Sequence, residues 1–71
     1  MSEGSSDLMT AAWHVTQGRR IVARRKAYIA RLQSLGHPTK DEEQTLRGFE
    51  TTLHWFEENE RQLRKRTELA L

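Results

Sequence analysis

Residues 35–42, Leu-Gly-His-Pro-Thr-Lys-Asp-Glu, contain the signals that end one helix and start another. Gly36 readily takes the left-handed conformation that ends many helices, and Pro38 prevents the helix from continuing. Thr39 and Glu42 have the spacing of a capping box, in which each side chain bonds to the other residue's amide. Because the connection is so short, the two helices are expected to lie side by side and antiparallel.

The sequence therefore predicts an all-α fold, a two-helix antiparallel hairpin resembling a coiled coil. We expect the first helix at about 7–35, the turn at 36–39 and the second helix at about 40–68. Residues 1–6 are mostly small and polar, so they are predicted to form a disordered tail.

The second helix has a narrow stripe that follows the heptad spacing of coiled coils. The stripe consists of Leu46, Phe49, Leu53, Phe56, Glu60, Leu63, Thr67 and Ala70. Glu-before-Arg pairs four residues apart are expected to support this helix. They are Glu43–Arg47, Glu57–Arg61 and Glu60–Arg64.

The first helix has a broader apolar stripe, about half of its circumference at roughly 100° per residue. One edge consists of Ala11, Val15, Val22 and Ile29, and the other of His14, Ile21, Tyr28, Leu32 and Leu35, with Gly18 and Arg25 between them. A single partner helix needs only a narrow seam. The width of the stripe therefore predicts two or more neighbours.

Arg25 and Glu60 are charged residues within apolar stripes. With the turn at 36–39, facing residue numbers should add to roughly 75–82, which puts Glu60 opposite Gly18 and Arg25 opposite residues 53–56. Such residues either set the register and oligomeric state, or extend their charged ends to water along packed stems. Both interpretations remain open at this point.

A chain of 71 residues without cysteine has neither disulfides nor thiolate metal sites to compensate for a small core. Self-association is the remaining common solution, so we expect a homodimer that forms a four-helix bundle. Charged residues make up 31% of the chain, and no apolar run has the length of a membrane span or a leader peptide. A cytoplasmic protein with no membrane contact is expected.

No catalytic or cofactor-binding pattern is present, so we predict neither an enzyme nor a cofactor. His14 and His37 should lie a helix length apart and cannot share a metal ion. His54, with Glu50 and Glu58 four residues away on either side, could hold an adventitious ion, but a solvated helix surface is the simpler interpretation.

The first helix is rich in arginine, which is the electrostatic signature of nucleic-acid binding. The candidate residues are Arg19, Arg20, Arg24, Lys26 and Arg31. In helical projection, however, they are spread around the helix, and the second half of the chain is acidic. Nucleic-acid binding is therefore the alternative function, and nucleic acid is a less favoured partner than protein.

Two tryptophans stand outside the stripes. Trp55 lies on a flank of the second helix that is almost free of charge, which suggests a second contact surface. Trp13 projects outward, where it either anchors a partner or stacks on Arg20.

The chain also resembles the small uncharacterised ("hypothetical") helical-hairpin proteins that are common in alphaproteobacteria. The similarity covers about residues 13–56. It rests on His14-Val15, Gly18, Arg20, residues 21–24 (Ile-Val-Ala-Arg), Ile29, Leu32, Gly36, Thr39, Leu46, Phe49-Glu50 and Leu53. Relatives often have Gln where Arg25 stands. The resemblance implies a bacterial helical hairpin and no particular activity.

The predicted function is a non-catalytic protein–protein interaction or structural module that self-associates, with an unidentified protein partner as a further option. The candidate interface residues are Val15, Gly18, Ile21, Val22, Arg25, Tyr28, Ile29, Leu32, Leu46, Phe49, Leu53, Trp55, Phe56, Glu60 and Leu63.

Overall fold

The computed structural model describes the backbone of residues 3–70 and the side chains of residues 7–69. Helix α1 spans Glu3–Ser34 and helix α2 spans Lys40–Ala70. The two helices pack against each other in a rod of 54 × 15 × 13 Å. The predicted all-α hairpin is confirmed.

The first helix begins earlier than the sequence suggested. Residues 3–6 belong to α1 rather than to a tail. Residues 1 and 2 of the predicted tail, and the predicted place of Ala70 in the α2 stripe, lie outside the described residues and side chains.

The turn ends α1 with a Schellman motif. The Gly36 amide donates to the Gln33 carbonyl and the His37 amide to the Leu32 carbonyl, each at 3.0 Å. Gly36 has a φ of +77°, the left-handed conformation that this motif requires. Carbonyls that the helix end would leave unpaired are thereby satisfied.

Thr39 stands just before α2, and its side chain bonds to Glu43 instead of forming the predicted capping box with Glu42. Its hydroxyl donates to the carboxylate of Glu43 at 2.6 Å, whereas the capping-box spacing had indicated Glu42. The Glu43 amide donates to the Thr39 carbonyl at 2.8 Å, and the Gln33 amide group donates to the Thr39 hydroxyl at 3.4 Å. Thr39 is buried by these contacts and ties the two helices together at the turn.

The buried apolar side chains of the described residues all come from α1, and they are Ala11, Val15, Val22 and Ile29. The predicted α2 stripe faces them, and its described members are half-buried. Two helices enclose only the strip between them, because nothing covers that strip from above or below. The core is therefore narrow and its large side chains remain partly accessible.

The helices are shifted relative to the predicted register. The three contacts that define it are Gly18 against Leu53, Arg25 over Phe49 and His14 stacked on Phe56. The numbers of these paired residues add to 70–74, below the expected range, while the ion pairs Arg19–Glu57 and Lys26–Glu50 each add to 76, at its lower edge. The register prediction was wrong because residues 36–39 fold back until Thr39 lies beside Gln33. The start of α2 therefore lies beside an earlier residue of α1 than we expected.

Gly18 leaves room for the Leu53 side chain to pack against the backbone of α1. A Cβ atom built at this position would lie 3.0 Å from Cδ1 of Leu53. Glu60, the predicted neighbour of Gly18, instead accepts a hydrogen bond from Arg64 at 2.9 Å on its own helix. The side chain of Arg64 is exposed, so the Glu60 carboxylate reaches the solvent boundary.

Candidate interaction surface

One broad side of the hairpin, here called the charged face, is crossed by ion pairs between the helices. The side chain of Arg19 donates to the Glu57 carboxylate at 3.2 Å, and the ammonium group of Lys26 lies 3.6 Å from the Glu50 carboxylate. All four side chains are at least one-third exposed, so each pair contributes well below about 1 kcal/mol. Their main consequence is that the charges on this face are matched.

The ion pairs within α2 differ in part from those predicted. Glu60–Arg64 forms as expected. Arg61 pairs with Glu58 rather than with Glu57, because the Glu57 carboxylate is engaged by α1. The Glu43 carboxylate is engaged by the Thr39 hydroxyl. Hydrogen bonds from Arg61 and from the side-chain amide of Gln62 lower the pKa of Glu58.

The opposite broad side, here called the apolar face, presents Ile21, Tyr28 and Trp55. Their exposed fractions are 44%, 48% and 74%. Helical geometry places them on this side, because residues on the other flank of each helix make the ion pairs of the charged face. Beside Trp55, the α2 part of this face has the uncharged residues Gly48, Thr52, Asn59 and Gln62, while Glu58 and His54 also line the depression around the indole.

The width of the α1 stripe explains why this face is left uncovered. The stripe edge with Val15, Val22 and Ile29 packs against α2. On the other edge, Ile21, Tyr28 and Leu35 remain exposed. One neighbouring helix therefore covers only part of the α1 stripe, as its width had indicated.

The apolar face is not flat. One depression is lined by Ile21, Arg24, Arg25 and Tyr28 on α1. A second depression surrounds Trp55 on α2, and its lining is mainly apolar in area. Side chains of a partner can insert into such depressions, which is how interface anchors gain most of their contact area.

Arg25 lies at the boundary between the core and the apolar face. Its guanidinium carbon is 5.7 Å from the centre of the Tyr28 ring and 5.6 Å from the centre of the Phe49 ring. Two aromatic faces thus support a half-buried cation, each worth about 0.5–1 kcal/mol at an accessible site. The guanidinium itself packs against a ring of its own helix and a ring of α2, in a side chain that is half-buried.

The third surface is the outer edge of α1, which consists of Trp13, Arg20, Arg24 and Arg31. All four side chains are exposed. The Trp13 ring lies edge-on against His14, with ring centres 5.3 Å apart. Of the two interpretations of Trp13, stacking on Arg20 is not seen among the described side chains, where its ring meets His14 instead.

The structure divides the predicted interface residues into two sets. Most form the seam inside the hairpin: Val15, Gly18, Val22, Ile29, Leu32, Leu46, Phe49, Leu53, Phe56, Glu60 and Leu63. Ile21, Tyr28 and Trp55 form the apolar face, with Arg25 at its edge. Periodicity identifies both sets but does not separate them, since the register of α2 on α1 decides which stripe edge is covered.

The described residues offer no group of three or more potential metal ligands, and neither described helix is long and apolar enough to cross a membrane. Comparison with known proteins gives no family model, no curated protein and no solved structure that matches the chain. The surfaces of the hairpin are therefore interpreted from their chemistry alone.

Proposed function

We propose that the chain is a non-catalytic interaction module that self-associates through its apolar face, forming a homodimeric four-helix bundle. The observation that supports this proposal is the pairing of an uncovered apolar face with a charge-matched face on the same rod. A second copy placed against the apolar face would cover Ile21, Tyr28 and Trp55. It would thereby give the broad α1 stripe the additional neighbour that its width predicts.

The size of the face is suitable for a stable dimer. A rod 54 Å long and 15 Å wide presents about 800 Å² in projection. Standard interfaces bury about 800 Å² on each partner. The apolar face is therefore large enough for a dimer only if most of its length takes part, as in a four-helix bundle.

The charge distribution also favours a second copy over an unrelated partner. In a two-fold dimer, each face meets itself, so that a strongly charged face would meet its own charge. The α2 residues Gly48, Thr52, Asn59 and Gln62 beside Trp55 are uncharged, and tryptophan is a residue type that dominates interface energetics. Like-charge contacts are thus avoided along this uncharged flank, and a dimer would have to hold Arg24 and Arg25 of α1 away from their copies in the partner.

Charge placed on the apolar face tests the proposal. The double variant Ile21→Glu with Tyr28→Glu puts carboxylates where the dimer would exclude water. Its matched control is Ala23→Glu with Ala30→Glu, since both alanines are exposed on α1 at the same spacing of seven residues. Light scattering after size exclusion should give a monomer for the first variant and a dimer for the second.

Circular dichroism of both variants separates loss of association from loss of folding. If both variants remained dimers, the interface would lie elsewhere. If the unaltered protein were a folded monomer that gained mass only with another protein, the apolar face would belong to a hetero-complex and self-association would be wrong.

A further inference from the structure

The positive charges of α1 are unevenly neutralised. Residues 8–39 contain six arginines and lysines and no aspartate or glutamate. Arg19 and Lys26 are paired with carboxylates of α2 across the charged face. In the described part of the chain, Arg20, Arg24, Arg25 and Arg31 form no salt bridge.

Three of these unpaired arginines form a line on the outer edge of α1. At ~1.5 Å per residue, Arg20 and Arg24 are about 6 Å apart along the axis, and Arg20 and Arg31 are about 16 Å apart. These positions share the side of α1 that faces away from α2, so the acidic residues of α2 are on the far side of the rod. A continuous positive strip of this kind attracts a polyanion.

An exposed indole lies on the same edge. Trp13 is about 10 Å along the axis from Arg20, and more than half of its surface is accessible. Aromatic side chains beside a basic strip bind single strands, because unpaired bases stack on the ring while the phosphates meet the cations. A duplex, whose bases are already stacked, offers no face to the indole.

We infer that the outer edge of α1, formed by Trp13, Arg20, Arg24 and Arg31, is a binding strip for single-stranded nucleic acid without sequence preference. The guanidinium groups contact backbone phosphates and the indole stacks on one base. The strip borders the apolar face at Arg24, which also lines the depression beside Ile21 and Tyr28. Trp13, Arg20 and Arg31 lie outside that depression, and binding of a strand to them requires no self-association. A dimer joined through the apolar faces would display two such strips.

Fluorescence anisotropy with a labelled oligothymidine of about 20 nucleotides tests the inference. Three arginine–phosphate contacts predict that the logarithm of the binding constant falls with the logarithm of salt concentration with a slope of about −2. In a Trp55→Phe background, where Trp13 is the remaining indole, oligothymidine should quench the tryptophan emission.

A charge-matched pair of variants locates the site. Arg20→Glu with Arg24→Glu should weaken binding by about tenfold or more, because two phosphate contacts are lost and two carboxylates repel the strand. Lys65→Glu with Arg66→Glu makes the same change in net charge on exposed residues of α2 and should leave most of the binding intact. Equal weakening in both variants would show a general charge effect and overturn the assignment.

Two further results would also overturn it. The first is the absence of binding by the folded protein at low salt. The second is equal affinity for polyglutamate, a polyanion without bases, since this would assign the strip to acidic protein segments. Tighter binding of oligothymidine than of polyglutamate, together with quenching of Trp13, would support the inference.

Discussion

Removal of the Trp55 indole is the substitution that most sharply separates the apolar face from the rest of the surface. Aromatic side chains of this size bury about 150–250 Å², and 74% of Trp55 is accessible in the single hairpin. A dimer interface could thus cover up to about 150 Å² of it. At ~25 cal/mol per Å², this corresponds to about 4 kcal/mol as an upper value.

Interface tryptophans truncated to alanine typically cost at least about 2 kcal/mol. A two-fold dimer contains two copies of Trp55, so Trp55→Ala should weaken association by about 4 kcal/mol or more. This corresponds to roughly a thousandfold increase in the dissociation constant. The measurement is sedimentation equilibrium across a range of protein concentrations.

Trp13→Ala is the matched control for this experiment, because Trp13 is also exposed and lies on the outer edge of α1. It should change the dissociation constant by less than about threefold, since rim or outside positions contribute little. Circular dichroism should show the same helicity for both variants. Equal effects of the two substitutions on association would refute the placement of the interface on the apolar face.

Three other predictions concern the hairpin itself. Phe56→Ala should lower the free energy of unfolding by about 2 kcal/mol in chemical denaturation, less than the 3–5 kcal/mol typical of buried rings, because Phe56 is half-buried. Gly36→Val should cost about 1–3 kcal/mol because of its φ of +77°, whereas Gly48→Ala should stabilise the protein by up to about 1 kcal/mol, both measured by thermal unfolding. Arg61 lowers the pKa of Glu58, so the stabilisation from this carboxylate is present above its unfolded-state pKa and is lost as the pH falls through its folded-state pKa. Arg61→Gln should therefore raise the pKa of Glu58 in an NMR titration.

The contradicting outcomes differ among these three. An unchanged unfolding midpoint for Phe56→Ala would remove Phe56 from the seam. Tolerance of valine at Gly36 would mean that the Schellman motif does not define the turn. An unchanged Glu58 titration in the Arg61 variant would show that the hydrogen bond between the two side chains does not form in solution.

The sequence predicted the hairpin because its decisive signals are local. Gly36 and Pro38 determine where α1 stops, and Thr39 marks the start of α2, without reference to any other part of the chain. The heptad stripe of α2 was likewise readable, since every described member lies on the less exposed side of its helix.

The register was not readable, because it depends on a contact across the turn. Gln33 bonds to Thr39, and with this fold-back Gly18 faces Leu53 instead of Glu60, a shift of α2 by about two helical turns. The partners of Glu57 and Glu43 were missed for a related reason. When several donors are within reach of a carboxylate, the packing of the two helices decides which donor it binds. The spacing along one helix shows only the donors on that helix.

The candidate surface was only partly predictable. Trp55 was singled out from its uncharged surroundings, but Ile21 and Tyr28 appeared equivalent to Val22 and Ile29 within one broad stripe. Which edge of that stripe α2 covers is determined by the packing of Gly18 against Leu53 and of Arg25 over the Phe49 ring. Those contacts join residues far apart in sequence, so that no periodicity within one helix reveals them.

The mass of the unaltered protein in solution tests self-association most directly. Light scattering after size exclusion, over a concentration series from about one micromolar upward, reports it without any label or substitution. A homodimeric bundle predicts twice the 8.3 kDa chain mass at the upper concentrations, with dissociation on dilution. A helical protein that remained at 8.3 kDa throughout the series would contradict the proposed dimer.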